Sequence, residues 1–165
     1  MPFAMIGFFI GLKEMKKMNL NFWGIKLSLV VLSMVFARSA AMAFNRYLDQ
    51  DFDAKNPRTA IREIPAGIIK SHQALILTIL TGLAFIITTF FINLICFYLS
   101  FIALFVVLFY SYTKRFTSLC HLVLGTGLSL APIGAYLSIV GTFSLLPLLF
   151  SFIVLCWVGK ATMAN

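Results

Sequence analysis

Carboxylates are scarce in this chain and missing from most of it: Glu14, Asp49, Asp51, Asp53 and Glu63 are the only five acidic residues among 165. None lies beyond position 63, so any chemistry that needs a carboxylate is confined to the first part of the chain. Charge of either sign is sparse, at 11% of residues against 61% hydrophobic, and the mean hydropathy is +1.00. That composition excludes an ordinary soluble domain. Only three cysteines occur, Cys96, Cys120 and Cys156, with neither metal-ligand spacing nor histidine partners, and they are read as lipid-facing or packing residues. His72 and His121 stand alone near helix starts and are read as structural or interfacial. Repeats, low-complexity tracts and Pro/Gly/Ser linkers are also lacking, so residues 1–165 read as one domain. The opening Met1-Pro2-Phe3 has no basic region and no small-residue cleavage site, so no cleavable signal is expected.

Long apolar runs are what the chain has in plenty. They cover about Phe22 to Phe44, Ala74 to Ile92, Leu94 to Tyr110, Leu119 to Val140 and Leu145 to Val158, each compatible with a tilted or slightly short spanning helix. A first run, Pro2 to Leu12, is about half of the ~20 residues a crossing needs, and is read as part of a helix. The expected fold is an all-α polytopic transmembrane bundle with five full spans and a partial first one. Strands are not expected, because these runs lack the alternation of a membrane barrel.

If the later spans alternate direction, Arg46, Lys55, Arg58, Arg62, Lys70, Lys114, Arg115 and Lys160 collect on one side. Lys13, Lys16, Lys17 and Lys26 lie across the membrane. The excess assigns the Asp-containing loops to the cytoplasm by the positive-inside rule. The net charge of +8 is thus spread over the ends of apolar segments. It does not form one basic face for nucleic acid.

On that cytoplasmic side sits a dense group of ionisable residues. At 100° per residue, Arg38, Asn45 and Asp49 fall within about 20° of one helical line, with Asp53 about 60° away. Provided the second helix continues that far, the four form a stripe running from within the bilayer to its surface and pointing into the bundle. Two carboxylates four residues apart can reach one hard cation, and Mg²⁺ takes one or two carboxylates plus substrate phosphates and waters. Asp49 and Asp53 fit that role, Asn45 can add a carbonyl oxygen to the metal or an amide donor to a substrate phosphate, and Asp51 projects elsewhere. Arg46, Arg58, Arg62, Lys114 and Arg115 supply cations suited to phosphate oxygens. The alternative for the group is a solvated helix end with Asp–Arg pairs. Arg38, about two turns inside an apolar helix, needs an anionic partner.

Asn45-Arg46-x-x-Asp49-x-x-x-Asp53 resembles the first acidic signature of the UbiA-type membrane prenyltransferases. Asn56-Pro57-Arg58-Thr59 and Arg62-Glu63-Ile64-Pro65-Ala66-Gly67 look like the loop after it, and Tyr110 to Thr117 looks like the family's next basic turn. The likeness is nearest to the 4-hydroxybenzoate polyprenyltransferase branch and extends to about Val158. It implies a helical bundle, about nine helices when complete, around a cavity open to lipid, in which a polyprenyl diphosphate donates its chain to an aromatic acceptor. By the resemblance, Asp49 and Asp53, helped by Asn45, would bind Mg²⁺ bridging the diphosphate. Arg58, Arg62 and Lys114 would contact the diphosphate, and Arg38 would orient the acceptor's carboxylate or brace the acidic stripe.

The resemblance also implies a second Asp-rich signature shortly after the sixth helix, where this chain reads Trp157-Val158-Gly159-Lys160 through to Asn165. Truncation or a frame disruption near Gly159 is therefore expected, with one Mg²⁺ site and part of the cavity wall missing. The competing readings are an incomplete fragment that only binds prenyl lipid, or a small membrane transporter. A membrane alcohol phosphotransferase ranks below both, because its usual Asp-Gly pairing is absent. Prenyl length, acceptor identity and oligomeric state are left open by the sequence.

Overall fold

The computed structural model describes residues 2–14, 20–114 and 120–163. All regular structure among them is helical: α1 (Pro2–Glu14), α2 (Leu20–Lys55), α3 (Ser71–Ile92), α4 (Leu94–Thr113), α5 (Cys120–Val140) and α6 (Leu145–Met163). Among the described residues, four stretches are long and apolar enough to cross a membrane, lying in α2, α3, α4 and α5. The fifth expected span, Leu145 to Val158, is a shorter apolar helix. Within α6 it belongs to 19 residues, about 28 Å at 1.5 Å per residue.

Large apolar side chains such as Ile87, Phe91, Phe105 and Phe152 face outward. In water such a surface would be an aggregation hazard, whereas lipid tails cover it without cost. Inside, small polar residues satisfy themselves. The hydroxyls of Ser33, Thr78, Thr89, Ser100 and Ser138 donate to carbonyls three or four residues back in their own helices, as the absence of water in hydrocarbon requires.

Helix α2 is the axis of the site. It runs 36 residues, about 54 Å, against a hydrocarbon core of about 30 Å, so its polar end stands beyond the apolar layer. The apolar run stops near Phe44, but residues 45–55 contain neither Pro nor Gly, and the helix continues until Asn56-Pro57. The α3–α4 connection is a single extended residue, Asn93, at φ −168° and ψ 151°. Lys26 reaches across from α2 and donates to the Ile92 carbonyl, covering an orphan acceptor at the C-terminus of α3. Helix α5 ends at Gly141, whose φ of 74° suits a residue without Cβ, and its N–H donates to the Leu137 carbonyl at 3.0 Å.

Helix α1 packs on α5, and α2 on α3. Ala4, Phe8, Val30, Ile92, Cys96, Ala135, Leu137 and Ile139 form the core between them. Gly7 and Gly11 let α1 approach α5 closely, at Pro132 and at Tyr136–Ile139, in the small-x-x-x-small manner of membrane helices. Tyr136, 1% exposed, donates its hydroxyl to Glu14 and ties the end of α1 to α5. Because a hydrogen bond to a charged group contributes about 1.5–3 kcal/mol, Tyr136→Phe is expected to lower unfolding free energy by about 2 kcal/mol, read by thermal melting in detergent. An unchanged melting temperature would show that this tie contributes nothing.

Candidate functional site

The polar end of α2 presents its carboxylates on one face. Asp49 and Asp53 are 9% and 7% exposed, whereas Asp51 faces outward, as the helical stripe requires. After Lys55 the chain folds back through a series of turns. Asn56 starts them: its side-chain oxygen accepts from the Arg58 N–H at 3.1 Å, and its carbonyl accepts from the Thr59 N–H at 2.9 Å, a typical Asx-type local bond. The Thr59 hydroxyl donates to the Asp53 carbonyl at 3.1 Å, and the Arg62 N–H donates to the Thr59 carbonyl at 3.0 Å. This return path brings Arg62 onto Asp53. Its Nη1 donates to Oδ1 at 2.9 Å and Oδ2 at 2.8 Å. From the end of α4, Lys114 Nζ lies 3.5 Å from Asp49 Oδ2.

Asp49, Asp53, Arg62 and Lys114 line a cavity of about 420 Å³. Phe52, Asn56 and Thr59, to which the sequence assigned no role, complete its wall. Lys114 also lines a second cavity of about 410 Å³, with Arg38, Asn45, Tyr110 and Ser111. The second space shares Met34, Ala37, Val107 and Gly127 with an apolar space of about 150 Å³ between α2 to α5, floored by Ile92, Cys96 and Ala135. A polar mouth, an amphipathic middle and an apolar interior thus follow one another along α2.

Other residues singled out in the sequence are placed differently. Arg46 pairs with Glu63 and is not part of the cavity walls, and Arg58 is exposed and also outside them. Arg115, with Lys16 and Lys17, lies outside the described residues. Arg38 lines the middle cavity and, among the described residues, forms no ion pair with Asp49 or Asp53. Asn45 Oδ1 is buried and, among the described residues, has no hydrogen-bond partner, which is costly unless a ligand completes it. Among the described residues, no three His, Cys, Asp or Glu side chains gather around one point. Asp49 and Asp53 are the two carboxylates of the first cavity, and Asn45 lines the second.

A sequence profile of the UbiA prenyltransferase family matches residues 1–165. A 4-hydroxybenzoate octaprenyltransferase of Vibrio cholerae is 35% identical over 99 residues, covering 60% of this chain and 35% of that protein. One of the same name from Blochmanniella floridana is 39% identical over 102 residues, covering 61% and 36%. The solved apo structure of a UbiA homolog from Aeropyrum pernix K1 superposes with a TM-score of 0.79 at 28% identity, covering 95% of this chain and 57% of that one. The chain therefore spans about a third of the length of these two curated relatives and little over half of the solved one.

Proposed function

The chain belongs to the UbiA prenyltransferase family, and on that premise we propose that it moves a polyprenyl group from its diphosphate to an aromatic acceptor such as 4-hydroxybenzoate, in quinone biosynthesis. The reaction takes place in the inner membrane, with the 56–70 segment and Lys114 on the cytoplasmic side. One observation carries this reading: the Asp49–Asp53 pair, faced by Arg62 and Lys114, lines a polar cavity that shares Lys114 with a second space, which in turn shares lining residues with an apolar one.

The donor set fits Mg²⁺. Two buried carboxylates at i and i+4 and a buried amide oxygen unpartnered among the described residues are the one or two carboxylates and hard oxygens this ion takes, leaving room for phosphate and water. When bound, the ion neutralises the charge that develops on a diphosphate leaving group. Asp49 and Asp53 would hold it, and Asn45, which lines the adjoining cavity, would supply its amide oxygen. Arg62 and Lys114 stabilise the departing anion directly, because they face the same cavity and act where charge develops. The prenyl chain lies along Met34, Ala37 and Val107, away from water that would quench an allylic cation. Arg38, which pairs with no carboxylate among the described residues, receives the acceptor's carboxylate in the middle cavity and turns the ring toward the prenyl carbon.

The direct test is the full chain in liposomes with polyprenyl diphosphate and 4-hydroxybenzoate. Prenylated product that requires Mg²⁺ is expected, and solute transport without prenyl transfer would refute the reading. Since a charge-assisted hydrogen bond contributes about 1.5–3 kcal/mol, Arg38→Ala should raise KM for the acceptor by about 10- to 100-fold, with KM for the diphosphate nearly unchanged. Equal loss for both substrates would place Arg38 with the diphosphate instead.

A further inference from the structure

Asp53, a ligand in the reading above, already has both carboxylate oxygens engaged by one guanidinium nitrogen, at 2.8 and 2.9 Å. Its side chain is 10% exposed, so a metal ion arriving at those oxygens competes with Arg62 for them and meets its charge at close range. Asp49 carries Lys114 in the same way, more loosely at 3.5 Å. The two cations come from separate elements, the 56–70 segment and the end of α4. Each covers a carboxylate that one ion would need, and both line the cavity where the diphosphate would lie.

Resting on the metal–diphosphate reading, we propose that Arg62 is a resident counter-ion of Asp53 that exchanges with the metal and passes to the diphosphate. Arginine cannot shed its charge. A metal ion arriving alone competes with the guanidinium and leaves uncompensated positive charge beside it. A diphosphate arriving alone finds Arg62 already paired. When both arrive, Asp53 keeps the metal and Arg62 keeps the anion, so each ligand favours the other through one side chain, and the coupling is reciprocal. The backbone need not move far. Thr59 holds the segment to the Asp53 carbonyl at 3.1 Å, and Glu63, next to Arg62, is tied to Arg46, so rotation of the Arg62 side chain is enough.

The test is Mn²⁺ binding to the full chain in detergent, followed by the paramagnetic signal of free Mn²⁺, with and without inorganic pyrophosphate. In the unaltered protein, pyrophosphate should tighten Mn²⁺ binding at least about fivefold, the lower edge of typical coupling. Arg62→Gln should bind Mn²⁺ alone at least about fivefold more tightly than the unaltered protein and lose most of the pyrophosphate enhancement. Arg62→Lys, which keeps the charge without the planar fork, should fall between. Lys55→Gln removes a nearby exposed charge outside the cavity wall and should leave Mn²⁺ affinity unchanged, separating exchange at Asp53 from a general field effect. An Arg62→Gln protein with unchanged Mn²⁺ affinity, or with the enhancement intact, overturns the exchange while leaving the metal site standing. Absence of Mn²⁺ binding in the unaltered protein, even with pyrophosphate, overturns the metal site itself.

Discussion

Asp49→Ala and Asp53→Ala are each expected to weaken Mn²⁺-dependent pyrophosphate binding by more than about 100-fold, since even partners outside the ligand shell cost about 10- to 100-fold. Asp51→Ala should change it by about twofold or less, the range of an ordinary surface substitution. The contrast follows from placement alone. Asp49 and Asp53 are buried on the cavity face of α2, and Asp51, between them in sequence, is exposed on another face. Thermal melting of the same proteins separates loss of ligand from loss of fold. Asp53→Ala frees Arg62, whose side chain is 42% exposed, so water can solvate the freed charge and stability should hold within about 1 kcal/mol. Equal binding losses in all three variants would refute the facial assignment.

The second large effect is expected far from the acidic pair. A Cβ on Gly7 would lie 2.2 Å from the Pro132 carbonyl oxygen and 2.8 Å from its Cα. Those atoms belong to the backbone of α5 and cannot turn aside as a side-chain tip would. Gly7→Ala should therefore cost more than about 3 kcal/mol, the upper part of the usual overpacking range, or undock α1. Gly24 provides the contrast, because nothing lies within 4 Å of its would-be Cβ. Gly24 lies one turn inside the start of α2, where Gly24→Ala should leave stability unchanged or raise it by up to about 1 kcal/mol. Melting curves in one detergent compare them, and a Gly7→Ala protein as stable as the unaltered chain would mean that α1 is not seated as described.

Much of the architecture could be read without coordinates, for a specific reason. In lipid a backbone must satisfy its own hydrogen bonds, so a long apolar run has essentially one regular conformation open to it. The runs ending at Ile92 and beginning at Leu94 coincide with the ends of α3 and α4. The length of α2 was harder, because beyond Phe44 hydropathy no longer marks a helix, and only the lack of a breaker before Asn56-Pro57 does so. Gly7 and Gly11 have the spacing of close-packed membrane helices, but that spacing alone does not name the partner helix.

The carboxylate stripe was equally accessible, because Asn45, Asp49 and Asp53 share a helix and 3.6 residues per turn sets their relative directions. Span parity likewise placed Lys114 at the same end. The choice among cations was not legible. Arg46, Arg58 and Arg62 are alike in composition and nearness, yet one turns to Glu63, one faces outward and one clasps Asp53. The turns begun by Asn56 and Thr59 select among them, and Tyr110 and Ser111 enter the second cavity only because α4 packs beside α2.

By itself, then, the order of residues determined an all-helical membrane chain with two acidic groups aligned at one end of a long helix, because local hydrogen bonding and helical pitch act within a few residues. Only the tertiary structure decided which positive charge faces which acid and which spaces join, because those depend on loop return paths and on helices meeting from distant parts of the chain.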